Sequence, residues 1–208
     1  SRVSRQSSCY IRTDGPVKTP KDLSGKTIGI PEWGQSASVY SRGWIQHDLG
    51  ISLSDINWVQ AGVNQPGRKE KVSLNLPDGI KLSPRSDKSL TELLVDGEID
   101  AILTAHPPEI FENKDPRIDR LFNNYAEVEK EYYNRTGIWP IMHLYAVRRE
   151  IFEEHPWVAM NLVKALTTAK NLSLQRMLDI TACRAPVGWI FHAAEEMRNM
   201  MGDDFYPY

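Results

Sequence analysis

The stretch KTIGIPEWGQSASVYSRGWIQHDLGISLSDINWVQ, residues 26–60, decides the architecture. Residues 26–30 are a short, β-favouring apolar run, and Pro31, with no backbone N–H to give to a ladder, stops it. Glu32-Trp33-Gly34-Gln35-Ser36 reads as a polar loop. Ala37, Tyr40 and Trp44 then recur three and four residues apart, the spacing of one helix face. After Ser54-Asp55 a second strand is expected over residues 56–60. Strand, helix and strand at this spacing make the βαβ unit of a parallel sheet, so the expected fold class is α/β.

Working outward, residues 8–12 form a β-favouring run closed by the turn residues Asp14-Gly15-Pro16. Thr19-Pro20-Lys21-Asp22-Leu23 is a capped helical turn with proline at its first position. Over residues 61–86 glycine, proline and charge interrupt every apolar run, and only 81–83 hints at extended chain. Ser89 caps a short helix with Leu90, Leu93 and Leu94 on one face, Gly97 ends it, and residues 99–103 read as a buried strand. A linker is expected from Pro107-Pro108 to residue 124, an exposed helix over 126–134 and a strand over 141–148. The remainder is helical, with one apolar stripe at Val158, Leu162, Leu166 and Ala169 and another at Phe191, Ala194, Met197 and Met201. Trp44, Trp157 and Trp189 read as core.

At 208 residues and 41% hydrophobic content the chain can bury a sizeable core. Its 25 basic and 27 acidic residues give a formal net charge of -2, without a Lys/Arg block long enough to track a phosphate backbone, so nucleic acid is not an expected partner. No apolar run approaches the roughly 18 residues of a membrane span, and the opening residues lack the apolar stretch of a signal peptide; the expectation is a cytoplasmic protein. Cys9 and Cys183 stand far apart without metal-ligand spacing, and the triplets Asn134-Arg135-Thr136 and Asn171-Leu172-Ser173 read as accidental glycosylation patterns.

Several phrases occur together: Ser7-Ser8-Cys9-Tyr10, Gly29-Ile30-Pro31-Glu32, Trp58-Val59-Gln60, Pro66-Gly67-Arg68-Lys69-Glu70-Lys71, Asp96-Gly97-Glu98-Ile99-Asp100-Ala101, residues 132–143, and the ending Met201-Gly202-Asp203-Asp204-Phe205-Tyr206-Pro207-Tyr208. In this combination the chain resembles the 4,5-dihydroxyphthalate decarboxylases, relatives of solute-binding and thiamine-precursor-synthesis proteins. Asp-Gly-Glu-Ile-Asp-Ala alone is weak, since any helix-to-strand turn can carry it. Arg135-Thr136-Gly137-Ile138-Trp139-Pro140-Ile141-Met142-His143 with the Pro-Gly-Arg element is far more specific. The resemblance implies a two-lobed α/β body of the periplasmic-binding-protein-like type II. Residues 1–24 would belong to the first lobe and the crossover, 25–124 to the second lobe, and 125–208 to the return into the first. Relative to that family the chain starts after the opening βα units of the first lobe, and the ligand is expected in the cleft between lobes.

The substrate so implied is a benzene ring with two adjacent carboxylates, each para to a hydroxyl, and the reaction is a non-oxidative decarboxylation to 3,4-dihydroxybenzoate and CO2. A non-catalytic solute-binding or ligand-sensing protein is the alternative on the same fold. Protonating the ring carbon first avoids an unstabilised aryl carbanion. That route needs a proton donor, a group that takes the hydroxyl proton, and a cationic clamp for the carboxylate that stays. No flavin, pyridoxal or biotin motif is visible and the chemistry can proceed without a cofactor. Arg68, projected from the Pro66-Gly67 turn, is the first choice for the clamp because a guanidinium binds carboxylate bidentately. Arg5 and Arg135, with Thr136 beside it, are further substrate-binding candidates. The loop ending at Ser36 offers backbone N–H groups to an anion, with Trp33 able to cover a ring; Ser36 could equally be the N-cap of its helix. Thr104 and His106 follow a strand at its carboxyl end, where open α/β sheets place ligands. His143 is the candidate ring-protonating acid and Glu32 the candidate acceptor of the hydroxyl proton. His106, His143 and Glu32 could instead hold a metal, but their separation carries no ligand spacing, so no metal is assigned. The expected partner is a small aromatic dicarboxylate; assembly into a homo-oligomer is left open.

Overall fold

A computed structural model describes residues 2–207; Ser1 and Tyr208, the last residue of the C-terminal phrase, lie outside the described residues. The chain divides into two compact units, Ser1–His143 and Leu144–Tyr208.

The first unit is built on a six-stranded mixed sheet, as the α/β reading requires. Its strands are β1 (Cys9–Arg12), β2 (Thr27–Ile30), β3 (Asn57–Gln60), β4 (Lys81–Pro84), β5 (Ala101–Leu103) and β6 (Ile118–Arg120), in the spatial order β4-β3-β2-β5-β1-β6. β2 pairs in parallel with β3 and β5, and β3 with β4; β1 runs antiparallel between β5 and β6. Cys9–Arg12, expected near the crossover between lobes, is thus a strand of the sheet that residues 25–124 build. Between β2 and β3 lies α1 (Ser36–His47), the helix read from Ala37, Tyr40 and Trp44. Before β5 lies α2 (Leu90–Val95).

Local chemistry accounts for these boundaries. Thr19 and Asp22 close a reciprocal capping box around the 3-10 turn Pro20–Leu23. Ser89 Oγ accepts from Glu92 N at 3.2 Å while Glu92 Oε2 accepts from Ser89 N at 2.7 Å, so α2 starts where its serine predicted. Gly97, at φ 76°, supplies the left-handed residue that ends it. One sheet-associated core gathers Ile28, Ile30, Trp33, Trp44, Ile45 and Trp58; another gathers Tyr10, Leu90, Leu93, Leu94 and Ile102.

Three expectations are corrected. The linker over 109–124 contains a short helix, α3 (Glu109–Glu112), and the strand β6, which Asp119 and Arg120 disguised; as an edge strand it pairs only with β1 and needs no apolar run. Residues 141–148 do not form a strand: Ile141 makes an isolated bridge to Arg2, and Leu144 and Tyr145 are 84% and 79% exposed. β-favouring residues become a strand only when a neighbour pairs with them, and among the described residues the pairing stops at the single Arg2–Ile141 bridge. Trp157 and Trp189, read as core, are exposed, Trp189 at 87%, whereas Trp44 is buried as expected. After α4 (Tyr125–Thr136), which ends at Gly137 with φ 67°, the second unit consists of α5 (Arg149–Glu154), α6 (Trp157–Met177) and α7 (Ile190–Met201). Its core joins Leu174, Ala194 and Phe205, the last from the C-terminal phrase.

The tightest approach in the sheet is at Gly29, where a Cβ would lie 2.7 Å from both Ile99 Cδ1 and Leu90 Cδ2. Gly29→Ala is therefore expected to lower unfolding free energy by about 1–3 kcal/mol through overpacking. Urea titration followed by circular dichroism measures it; an unchanged midpoint would show that α2 does not bear on β2.

Candidate functional site

The strand order reverses beside β2: the chain goes from β2 outward to β3 and β4, then returns to lay β5 on the opposite flank. In open α/β sheets the loops at such a switch diverge and leave a crevice at the carboxyl ends of the strands. Here the loops after Ile30, Gln60 and Leu103 share that edge, and antiparallel β1 brings the residues before Cys9 to it as well. Thr104 N donates to Ser8 O at 3.2 Å, closing that row. Glu32, Ser36, Arg68, Thr104, His106 and Arg5, chosen from the sequence for separate reasons, therefore lie on segments that meet along one edge.

Glu32 is 5% exposed and cannot stand there unpaired without a large desolvation penalty. Arg68 reaches back from the following loop to supply the countercharge: its Nε donates to Glu32 Oε1 at 2.8 Å, its Nη2 bonds the same oxygen, and Lys71 Nζ lies 3.9 Å away. Gln60, the last residue of β3, ties the two loops together, its Nε2 donating to Pro31 O at 2.7 Å and to Arg68 O at 2.9 Å. The expected proton acceptor and the expected carboxylate clamp are thus each other's partners.

Beside them, Glu70 accepts from Trp33 N at 2.6 Å and from Gly34 N at 3.0 Å. The backbone donors expected to receive an anion are holding one. Trp33 is buried edge-on against Trp58, and its face is taken by the Arg42 guanidinium, 3.7 Å from the ring centroid. Arg42 is 7% exposed and donates to Trp33 O at 2.8 Å; burial lowers its pKa to about 10, against the opposing pull of Glu70. The N-cap of α1 is Gln35, and Ser36 is its exposed first residue, so Ser36 is not the cap. One residue position matters more in that first turn: the buried Ser38 Oγ, like Gln35 Oε1, has no hydrogen-bond partner among the described residues.

Thr104 is buried, with its hydroxyl oxygen 3.4 Å from His106 N, while the His106 ring is exposed. Arg5 is half-buried and its Nε donates to Met142 Sδ at 3.3 Å; desolvation lowers its pKa, with Glu129 opposing. Ile141 N donates to Tyr40 Oη of α1 at 3.4 Å, so the segment carrying exposed His143 is held between residues 2–5 and the helix that follows the Glu32 loop. Arg135 is committed elsewhere, to Asp48 and, at 3.4 Å, to Glu131. Thr136 closes α4, its Oγ1 donating to Tyr132 O at 2.7 Å and accepting from Ile138 N at 3.1 Å. Among the described residues no three His, Cys, Asp or Glu side chains converge to hold a metal ion, so His106, His143 and Glu32 do not form such a group. Cavities of about 280 and 480 Å³ lie in the second unit, lined by Ala169, Ser173, Arg176 and Thr168 among others, and hold none of the candidates.

Sequence reading missed Glu70, Arg42 and Gln60. Gln60 carried a usable signal, a polar residue closing an apolar strand at the ligand-binding edge, and Glu70 stood in the quoted Pro-Gly-Arg phrase. Arg42 had none, because it falls between the positions of the apolar helix face.

No family model matches the chain. It is 37% identical over 209 aligned positions, all of its length and 63% of the relative's, to 4,5-dihydroxyphthalate decarboxylase of Comamonas testosteroni. It is 34% identical over 134 positions, 64% of this chain and 52% of the relative, to the Pseudomonas putida protein of the same name. The chain therefore spans less than two thirds of the length of either relative. Among solved structures, the periplasmic aliphatic sulphonate binding protein SsuA from Escherichia coli matches at 11% identity, covering 64% of this chain and 45% of its own, with a TM-score of 0.35. Holo ArgBP from T. maritima matches at 18% identity over 54% of this chain and 36% of its own, with a TM-score of 0.28. Scores of that size carry no assignment of ligand or mechanism.

Cys9, in the matched phrase at the head of β1, is fully buried, and desolvation pushes its thiol up to about 12. It is therefore no nucleophile near neutrality, whereas Cys183 is exposed. A thiol-disulfide reagent at pH 8 should titrate one thiol in the native chain and two in denaturant; two fast native thiols would refute the burial of Cys9.

Proposed function

We propose that this chain belongs to the 4,5-dihydroxyphthalate decarboxylase family, to one of whose named members it is 37% identical along its whole length, and that it decarboxylates 4,5-dihydroxyphthalate to 3,4-dihydroxybenzoate and CO2 at the crevice between the β2 and β5 loops. The observation that carries the reading is the meeting, at the sheet's switch point, of the Glu32–Arg68 pair with Thr104 and the Arg5 segment, in a chain 37% identical to a decarboxylase of that name. The alternative, a binding protein without turnover, has no observation in its favour.

In this reading the substrate replaces an internal partner. Its retained carboxylate exchanges with Glu32 for the Arg68 guanidinium, which frees Glu32 to accept the proton of the hydroxyl para to the departing carboxylate. His143, on the segment whose Met142 touches Arg5, delivers a proton to the ring carbon bearing that carboxylate. The ring carbon becomes tetrahedral and the para oxygen becomes a carbonyl. The bond to the carboxylate then breaks, CO2 leaves, and the electron pair restores the aromatic ring while Glu32 returns its proton to the oxygen. The sum is one carboxylate and one proton converted into one C–H bond and CO2. Arg5, desolvated and without a carboxylate within ion-pair distance among the described residues, is the cation that receives a substrate carboxylate without giving up a partner. Thr104 and His106 line the β5 side, with the Thr104 hydroxyl as a donor to a ring substituent. Burial of the reacting carbon away from water would strengthen each of these contacts.

Incubating the full-length protein with 4,5-dihydroxyphthalate should yield 3,4-dihydroxybenzoate and CO2 in equal amounts; tight binding without product would remove the enzyme reading. His143→Ala is expected to lower kcat by about 10²–10⁴, the usual worth of a general acid. Arg68→Ala and Arg5→Ala should act mainly on KM. Reversed effects would show the roles to be misassigned.

A further inference from the structure

We infer that residues 65–80 form a strap over the site and that Glu70 is its latch, a carboxylate of the chain itself that sits where a carboxylate of the ligand must go. The inference rests on the reading that the ligand is a carboxylate, and adds that it can enter only by displacing Glu70.

The strap has fixed roots. At its start, Leu90 N donates to Gly62 O at 2.7 Å, Thr91 N to Val63 O at 3.0 Å and Glu109 N to Asn64 Oδ1 at 3.0 Å, which fasten residues 62–64 to α2 and α3. At its end, β4 joins the sheet at Lys81. Between these roots residues 65–80 form no helix or strand, and Gly67 and Gly79, at φ 82° and 84°, stand near the two ends where a swing is cheapest. Most of the strap's side chains are exposed.

Its later half is seated by Leu74, Leu76 and Ile80, which pack against the sheet core; its earlier half, residues 65–71, is held by charge. Arg68 is bonded to Glu32, and Glu70 is bonded through both carboxylate oxygens to the adjacent N–H groups of Trp33 and Gly34. Two neighbouring backbone donors meeting the two oxygens of one carboxylate is the arrangement a free carboxylate would adopt there. Beneath that pair Arg42 is buried with a carbonyl and a ring as neighbours and no ion-pair partner among the described residues, and the Ser38 hydroxyl, 1% exposed in the same helix's first turn, has no partner. A strap that served packing alone would not need a buried cation beside its one inward carboxylate. The fit at Gly34 shows how closely the strap lies: a Cβ there would be 3.0 Å from Glu70 Oε1 and 3.0 Å from Val72 Cγ2.

One pocket of donors cannot hold two carboxylates, so closure of the strap and entry of the ligand compete. The apparent dissociation constant is then the intrinsic one divided by the fraction of molecules whose latch is open. Removing the latch raises that fraction without touching the donors.

The test uses phthalate, which has the two carboxylates but lacks the hydroxyls that turnover needs, titrated calorimetrically into the full-length protein. Glu70→Ala and Glu70→Gln are expected to bind phthalate on the order of tenfold more tightly than the unsubstituted protein. Glu70→Asp, which keeps the charge but shortens its reach to Trp33 N and Gly34 N, should shift the constant in the same direction and decides the matter if the neutral variants fail to fold. No tightening in any folded variant overturns the latch, as does turnover of 4,5-dihydroxyphthalate by a protein that never binds phthalate; the decarboxylase reading would survive both. Tighter phthalate binding without any decarboxylation would do the reverse.

Discussion

Glu32 follows Pro31 at the end of β2 and is almost wholly buried, and a carboxylate in that position must find positive charge or cost several kcal/mol in lost hydration. The nearest source is a loop that leaves the sheet one strand away. Arg68 therefore has to come back over the edge of β2, and Gln60 spans Pro31 and Arg68 to hold the return in register. Once Arg68 is fixed, Lys69, Glu70 and Lys71 follow within three residues. Glu70 then stands within reach of two adjacent backbone donors of the loop before α1, Trp33 N and Gly34 N. The site's polarity thus begins with one buried acid and spreads outward through partners that it obliges.

The sheet supplies the rigid frame for that exchange. Parallel strands end with their loops on one edge, and the reversal between β2 and β5 keeps two of those loops from packing on each other. Antiparallel β1 adds a third contribution that no parallel strand could make, because its residues arrive at the edge before the strand begins. Gln6, Gln60 and Thr104 are polar yet buried for this reason: they lie where apolar strand interiors give way to loops, and their side-chain hydrogen bonds go to neighbouring backbone. Only a backbone as tight as that at Gly29 lets α2 lie close enough to keep β2 and β5 in place under them.

Most of the fold was legible because it rests on local chemistry. Proline after β2, the Ser89–Glu92 box, Gly97 and the spacing of Ala37, Tyr40 and Trp44 each act within a few residues, so the sequence carries them directly. β6 was not legible, since its place depends on β1 alone and its side chains are polar. Residues 141–148 failed for the opposite reason: their composition favours a strand, but a strand also needs a neighbour, which composition does not record. In the site, the segments were legible from strand ends and from the quoted phrases. The pairings were not: Arg68 with Glu32 and Glu70 with Trp33 and Gly34 each join residues 36 or 37 apart, and no spacing rule reaches that far.

The arginines show what remained to be read from geometry. Arg12 and Asp14, Arg85 and Asp87, and Arg117 and Asp115 pair two residues apart at the surface, where such contacts are worth little and are satisfied before any ligand arrives. Arg135 is likewise engaged by Asp48. Arg5 and Arg42 differ from all of these: both are desolvated, and their acceptors are a thioether and a backbone carbonyl. A guanidinium removed from water gains more from an arriving anion than one already paired in it, because the same charge acts through a lower effective dielectric. Under the proposed function, the substrate carboxylate that meets Arg5 would therefore gain more than one that meets an arginine already paired at the surface, and Arg42 would add its field beneath the donors that Glu70 now occupies. Arg68, the obvious choice by motif, contributes only as far as Glu32 releases it.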